Sequence, residues 1–344
     1  MFINSITRFL KPMNLQQYMD KQKMVQHFID EALAESQRCK YPECCETAIA
    51  SHVLQKEGPL RHIASDGKVM CVNKLRGLLK YARRMFDANC VVSPELSVVG
   101  IGDAMTYPGF CECHDAELFR SIECGVPLFM GNHEQIVALY RRVFFYMMHS
   151  LEQYLRVGEK LAAKGDNNSL KEMRMVLSPD FIVLFNKFLP RIWSDGFANN
   201  MKYVWRIINR NLGVACASRI QSDAVKQHAM IYEPSVRPFA TFSLIPECDK
   251  THVILIWDSC FDDQMQDFKH KMISNIASDL SRTLNEFTFV KGTDYCISPT
   301  LWQSVSENER SIVLKTLRNN VMRKCNSSIP NIISFTDNEL SHIE

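Results

Sequence analysis

Eight of the 13 cysteines lie before residue 125: Cys39, Cys44, Cys45, Cys71, Cys90, Cys111, Cys113 and Cys124. A stretch so rich in thiols folds around disulfides or around a metal, and the redox compartment decides which. The opening segment, MFINSITRFLKPMN, is too short and too interrupted for a secretory signal, which predicts a cytoplasmic protein with reduced cysteines. Clustered cysteine with nearby histidine then reads as metal ligation. Two pairs carry that reading, Cys39-x4-Cys44 on a turn containing Pro42 and Cys111-x2-His114 at the start of a short helix. Together Cys39, Cys44, Cys111 and His114 offer three thiolates and an imidazole, a donor set that suits tetrahedral zinc and not the oxygen-seeking calcium or magnesium. Zinc there would clamp the intervening residues into one unit. Cys45 and Cys113 are adjacent spares within each pair, and the competing interpretation is that the cysteines are buried small hydrophobes.

A chain of 344 residues with 46% hydrophobic and 23% charged residues is ordinary globular material of roughly two domains' worth. No apolar run approaches the ~20 residues a membrane span needs, so no membrane partner is expected. The pattern divides the chain into an N-terminal helix (1–38), a Cys/His-rich module (39–125), a helical region (126–235) and an α+β region (236–344). Within the module, 49–53 and 68–72 alternate as strands, 74–86 is helical, 91–103 is loop and strand, and 115–122 is a short helix. From residue 133 to 164 apolar side chains recur at helical spacing (Ile136, Leu139, Tyr140, Val143, Phe144, Met147, Leu151), giving a long amphipathic helix for the core or for packing against a protein partner or a second copy. Further helices are expected over 170–189, 199–211 and 262–287. The apolar runs 238–246 and 251–258 flank Glu247–Lys250 as a β-hairpin. The predicted class is helix-rich α+β.

The order of these features resembles a known architecture. A cysteine pair, then Ser51-His52 at a strand end, then a Cys/His pair opening a helix resembles the treble-clef zinc fold and, more loosely, the HNH (His-Me finger) nucleases built on it. The block Gly109-Phe110-Cys111-x-x-His114-Asp115 is similar to one found in bacterial proteins that also carry a Ser-His pair. The resemblance spans residues 39–123. It implies a structural zinc, His52 as general base on water, and a catalytic Mg2+ or Mn2+ at the scissile phosphate, with Asp115 and Asn73 assisting. It also implies a DNA or RNA substrate and a bacterial defence or mobile-element setting. The sequence departs from the family at Ser51, where Asp or Glu is usual, and in its wider cysteine spacing. A non-catalytic module that binds nucleic acid or protein is the alternative.

Val126–Glu134 resembles the Gly-Asn-His-Glu block of calcineurin-like metallophosphoesterases, with Gly102-Asp103 upstream. Neither an early Asp-x-His nor a late Gly-His-x-His accompanies it, so this stays a remote alternative and Asn132 reads better as a helix cap.

Net charge is +2, but residues 131–235 carry 14 basic against 9 acidic side chains, a mildly basic middle. Lys74, Arg76, Lys80, Arg83 and Arg84 gather at helical spacing without an intervening acid. Lys202, Arg206 and Arg210 form a second stripe on the helix expected over 199–211. Both stripes are candidate phosphate-binding faces, or simply solvated helix surface. No Gly-x-Ser-x-Gly elbow, Walker A loop or Gly-x-Gly-x-x-Gly is present, so nucleophilic or nucleotide-binding chemistry is not expected.

Overall fold

The computed structural model describes residues 27, 31, 37–72, 96–123, 125–163, 186, 188–221, 238–292, 294–321 and 328–343. The class is α+β, as expected. Among the described residues ten strands form two sheets. β1 (Ala50–His52) and β4 (Thr106–Pro108) make a two-stranded antiparallel ribbon. The other eight run in the order β10-β5-β8-β7-β6-β9-β2-β3, every pairing antiparallel. They are β2 (Lys68–Val72), β3 (Leu96–Gly100), β5 (Met201–Ile208), β6 (Val214–Gln221), β7 (Phe239–Pro246), β8 (Thr251–Asp258), β9 (Tyr295–Ile297) and β10 (Leu340–Ile343). The large sheet thus draws strands from inside the 39–125 stretch as well as from residues 201–343.

The hairpin β7–β8 closes with Pro246 opposite Thr251, and every residue of both strands is buried. Continuous burial means that both faces are covered, which explains why these runs are apolar throughout and do not alternate. Phe239 and Phe242, three positions apart, point to opposite faces. Phe239 meets Tyr140 of the long helix, and Phe242 meets Phe287 in the turn over 286–291.

That long helix, after α1 (Glu112–Phe119), is α2 (His133–Ala163). Its start is set by Asn132, whose Oδ1 accepts the amide of Gln135 at 3.2 Å, and Gly131 supplies the left-handed turn before it at φ 77°. Ile136, Leu139, Tyr140, Val143 and Phe144 are buried, and α2 packs across β5 to β8. The stripe legible in the sequence is therefore spent on the chain's own sheet. Gly131, Asn132 and His133 accordingly form a turn, a cap and a first helical residue. Neither Asp103 nor His133 belongs to a metal-ligating group among the described residues.

Two expectations are corrected. Residues 199–211 are not a helix: they form β5, in which Tyr203, Val204, Trp205, Ile207 and Ile208 are the β-branched, aromatic and apolar residues a half-buried strand prefers. Basic residues four apart share a face in a strand as well as in a helix, so their spacing could not decide between the two. Arg206 is 2% exposed and donates to the carbonyls of Met272 and Ser274 and to Asn275, tying down the end of α3 (Asp262–Met272). Arg210 bonds the Ser334 carbonyl at the surface, and both it and Lys202 are exposed. Burial takes Arg206 out of the expected basic stripe and leaves Lys202 and Arg210 on the surface. The helix expected over 262–287 is likewise broken, into α3 and α4 (Ala277–Asn285), around residues 273–276.

Asn285 at the end of α4 carries a large share of the C-terminal packing. It is 1% exposed, donates to the carbonyls of Ser281 and Ile333, and accepts the amides of Ile332 and Ile333. Asn285→Ala would strand two amides and a carbonyl in the core, and it is expected to lower unfolding free energy by about 2–4 kcal/mol in urea denaturation. A change below about 0.5 kcal/mol would show that this network does not hold the extended 328–335 segment.

Candidate metal centre

The centre is assembled from a turn and a helix start that lie far apart in sequence. Residues 37–49 fold back on themselves. Arg38 bridges Thr47, the Cys39 amide donates to the Glu46 carbonyl at 2.8 Å, and Glu43 takes φ 62° at the tip. This puts Cys39 and Cys44 on the inner side of a tight loop. The loop is carried to the helix by backbone bonds, Lys40 to Gly109 at 3.0 Å and Ile49 to Phe110 at 2.7 Å, continuing the β1–β4 ribbon. Cys111 is the N-cap of α1, and its x-x spacing to His114 brings both onto one face of the first turn.

The donor atoms of Cys39, Cys44, Cys111 and His114 all lie within 4.8 Å of one another. His114 Nδ1 is 3.5 Å from Cys39 Sγ and 3.2 Å from Cys111 Sγ, and Cys44 Sγ is 4.0 Å from Cys111 Sγ. A tetrahedral zinc with bonds of about 2.3 Å to sulfur and about 2.05 Å to nitrogen needs edges of about 3.8 Å between sulfurs and about 3.6 Å between sulfur and nitrogen. The three separations of 3.2–4.0 Å fall within about 0.4 Å of those edges and no pair exceeds 4.8 Å, so the donor set fits zinc with small adjustments. Four protein donors also leave no open position for water, which is the signature of a structural and not a hydrolytic zinc. Cys45 and Cys113, the adjacent spares, are exposed and take no part.

Local electrostatics prepare the thiols unequally. Burial pushes the Cys39 thiol up to about 11, whereas the His114 amide at the helix start holds Cys111 below its ordinary value. The His114 ring is clamped by Tyr41, stacked on it with centroids 3.9 Å apart and planes 4° from parallel, and Trp193 meets Tyr41 edge-on. Lys40 forms an ion pair with Glu152, fastening the loop to α2. None of these supports has a sequence signature, because each joins residues distant in the chain.

The candidate catalytic residues lie beside the centre. His52 ends β1, half-buried, with Nε2 3.0 Å from the Ile101 carbonyl. Asp115 lies next to the ligand His114, and its Oδ1 accepts the Ser51 hydroxyl at 2.5 Å. Burial pushes the Asp115 carboxyl above its ordinary range, against the pull of Ser51, Arg142 and His52. Asn73 and the basic residues Lys74, Arg76, Lys80, Arg83 and Arg84 lie outside the described residues. Among the described residues the four-donor group is the only cluster of three or more potential ligands, so a second metal site is not preassembled there.

One expectation about the thiols is corrected. Cys71 and Cys296 form a disulfide across neighbouring strands β2 and β9, so the reduced state does not hold for this pair. The register places them directly opposite with Cα atoms 4.4 Å apart, while 225 residues separate them in sequence, which is why spacing gave no sign of it.

No family model matches the chain, and no curated protein or solved structure is similar to it. No helix among the described residues is long and apolar enough to cross a membrane.

Proposed function

We propose that the chain is a nucleic-acid-interacting protein built around a structural zinc, with His52 as the general base of an HNH-like, Mg2+- or Mn2+-dependent endonuclease. The observation that carries this reading is the division of labour at the centre. Cys39, Cys44, Cys111 and His114 satisfy zinc by themselves, and His52 remains outside the ligand set at the end of the ribbon that the zinc supports. If Nε2–H donates to the Ile101 carbonyl, the lone pair falls on Nδ1, the form a general base needs. The order of loop, ribbon and helix resembles that of a treble clef, which supports this reading.

A second reading is favoured by a different observation. Asp115 is engaged by Ser51, and no second ligand cluster stands ready among the described residues, as suits a zinc-stabilised module that binds nucleic acid or a protein without cutting.

Incubating wild type and His52→Ala with plasmid DNA and with RNA, in Mg2+ or Mn2+, tests both. Cleavage by wild type that falls at least 100-fold in a His52→Ala protein still loaded with zinc is the expected result. Binding without cleavage selects the second reading. Equal cleavage by the two proteins removes His52 as base, and loss of zinc from the variant makes His52 part of the metal site.

A further inference from the structure

A second thiol–imidazole site lies away from the zinc, at a cavity of about 350 Å³ between the 53–62 segment, the start of α2 and the β7–β8 loop. Cys248, exposed in that loop, has its Sγ 3.4 Å from His62 Nδ1, and both residues line the cavity. They are 186 positions apart, and one side chain holds them together. Asn211 Nδ2 donates to the His62 carbonyl at 3.1 Å and to the Glu247 carbonyl at 2.8 Å, while its Oδ1 accepts the Gly213 amide at 2.8 Å. The cavity floor is apolar, with Val53, Leu54, Ile122, Leu139 and Ile245. A further donor lines it: Arg142 is 2% exposed, its terminal nitrogen paired with Glu123 and its Nε without a partner.

We propose that Cys248 and His62 form a nucleophilic dyad for acyl transfer from small esters or thioesters seated in this cavity. His62 Nδ1 accepts the thiol proton as Sγ bonds to the acyl carbon. The bond to the leaving oxygen or sulfur breaks, and that atom takes the proton from His62. Water, deprotonated by His62, then adds to the thioester carbon. The C–S bond breaks, the thiol recovers its proton and a carboxylic acid departs. Glu57, Glu247 and Asp249 also line the cavity, which favours neutral or cationic acyl groups over anionic ones.

The test uses the full chain and 4-nitrophenyl 4-guanidinobenzoate, a cationic ester that reports each acylation by release of 4-nitrophenolate. The expected result is a burst of about one equivalent per chain, absent from Cys248→Ala and slowed roughly 100-fold in His62→Ala. Because Cys248 is exposed, its replacement leaves the fold and the zinc content unchanged, which melting and metal analysis check. In parallel, peptide mapping after brief iodoacetamide treatment at pH 7 should find Cys248 labelled at least tenfold faster than the exposed Cys45 and Cys113 of the same chain. No burst from wild type, a burst retained in Cys248→Ala, or equal labelling of the three thiols overturns the proposal.

Discussion

A Cys111→Ser variant is expected to purify without zinc and to lose the order of the whole metal-bound region. Serine is a poor zinc donor at neutral pH, and removing one thiolate of four takes away most of a binding free energy that reaches about 10–16 kcal/mol for structural zinc sites. Little else holds this region. The 37–49 loop contributes one buried cysteine, Cys39, to the core, and the β1–β4 ribbon has three residues in each strand. Most of the hydrophobic cluster, in β5 to β8 and α2, lies outside the 37–49 loop, which adds only Cys39 to it. Damage should therefore be confined. Limited proteolysis is predicted to cut within residues 37–49 at least tenfold faster than in wild type, while cleavage within residues 238–292 stays at the wild-type rate. A variant that keeps a full equivalent of zinc would exclude Cys111 as a ligand.

The second large effect is expected at the disulfide. β2 and β3 reach the rest of the sheet only through the short strand β9, and just two residue pairs, Met70–Ile297 and Cys71–Cys296, join β2 to it. One of those pairs is the covalent one. A cross-link closing a 225-residue loop restrains the unfolded chain strongly, so replacing both cysteines by serine should cost about 3–5 kcal/mol. For a chain of 344 residues that corresponds to a fall in Tm of roughly 4–7 °C. Hydrogen exchange should localise the loss, with the amides of 68–72 and 96–100 losing protection before those of β7 and β8. An unchanged Tm and unchanged protection at β2 would show that the strand pairing suffices alone.

The sequence was most legible where one physical signal dominated. The α2 span followed from its helical repeat with Asn132 as cap, and β7–β8 from two apolar runs separated by four polar or turn-forming residues. The four clustered donors of the candidate centre followed from two local pairs, since each pair is held within a single turn. What stayed hidden depended on partners distant in the chain. β5 was misread because its basic residues, four apart, fit a helix face as well as a strand face. Arg206 serves α3, 66 or more residues away. Cys71 finds Cys296 only through strand register, and His62 finds Cys248 only because Asn211 draws two segments together. Nothing in local periodicity encodes those meetings.

The central claim is the closed zinc site, and X-ray absorption at the zinc edge on the purified wild-type chain tests it most directly. One zinc per chain, with three sulfur scatterers at about 2.3 Å and one nitrogen at about 2.0 Å, is the predicted result. Absence of zinc from protein purified without chelators, or a shell of oxygen and nitrogen alone, would contradict it.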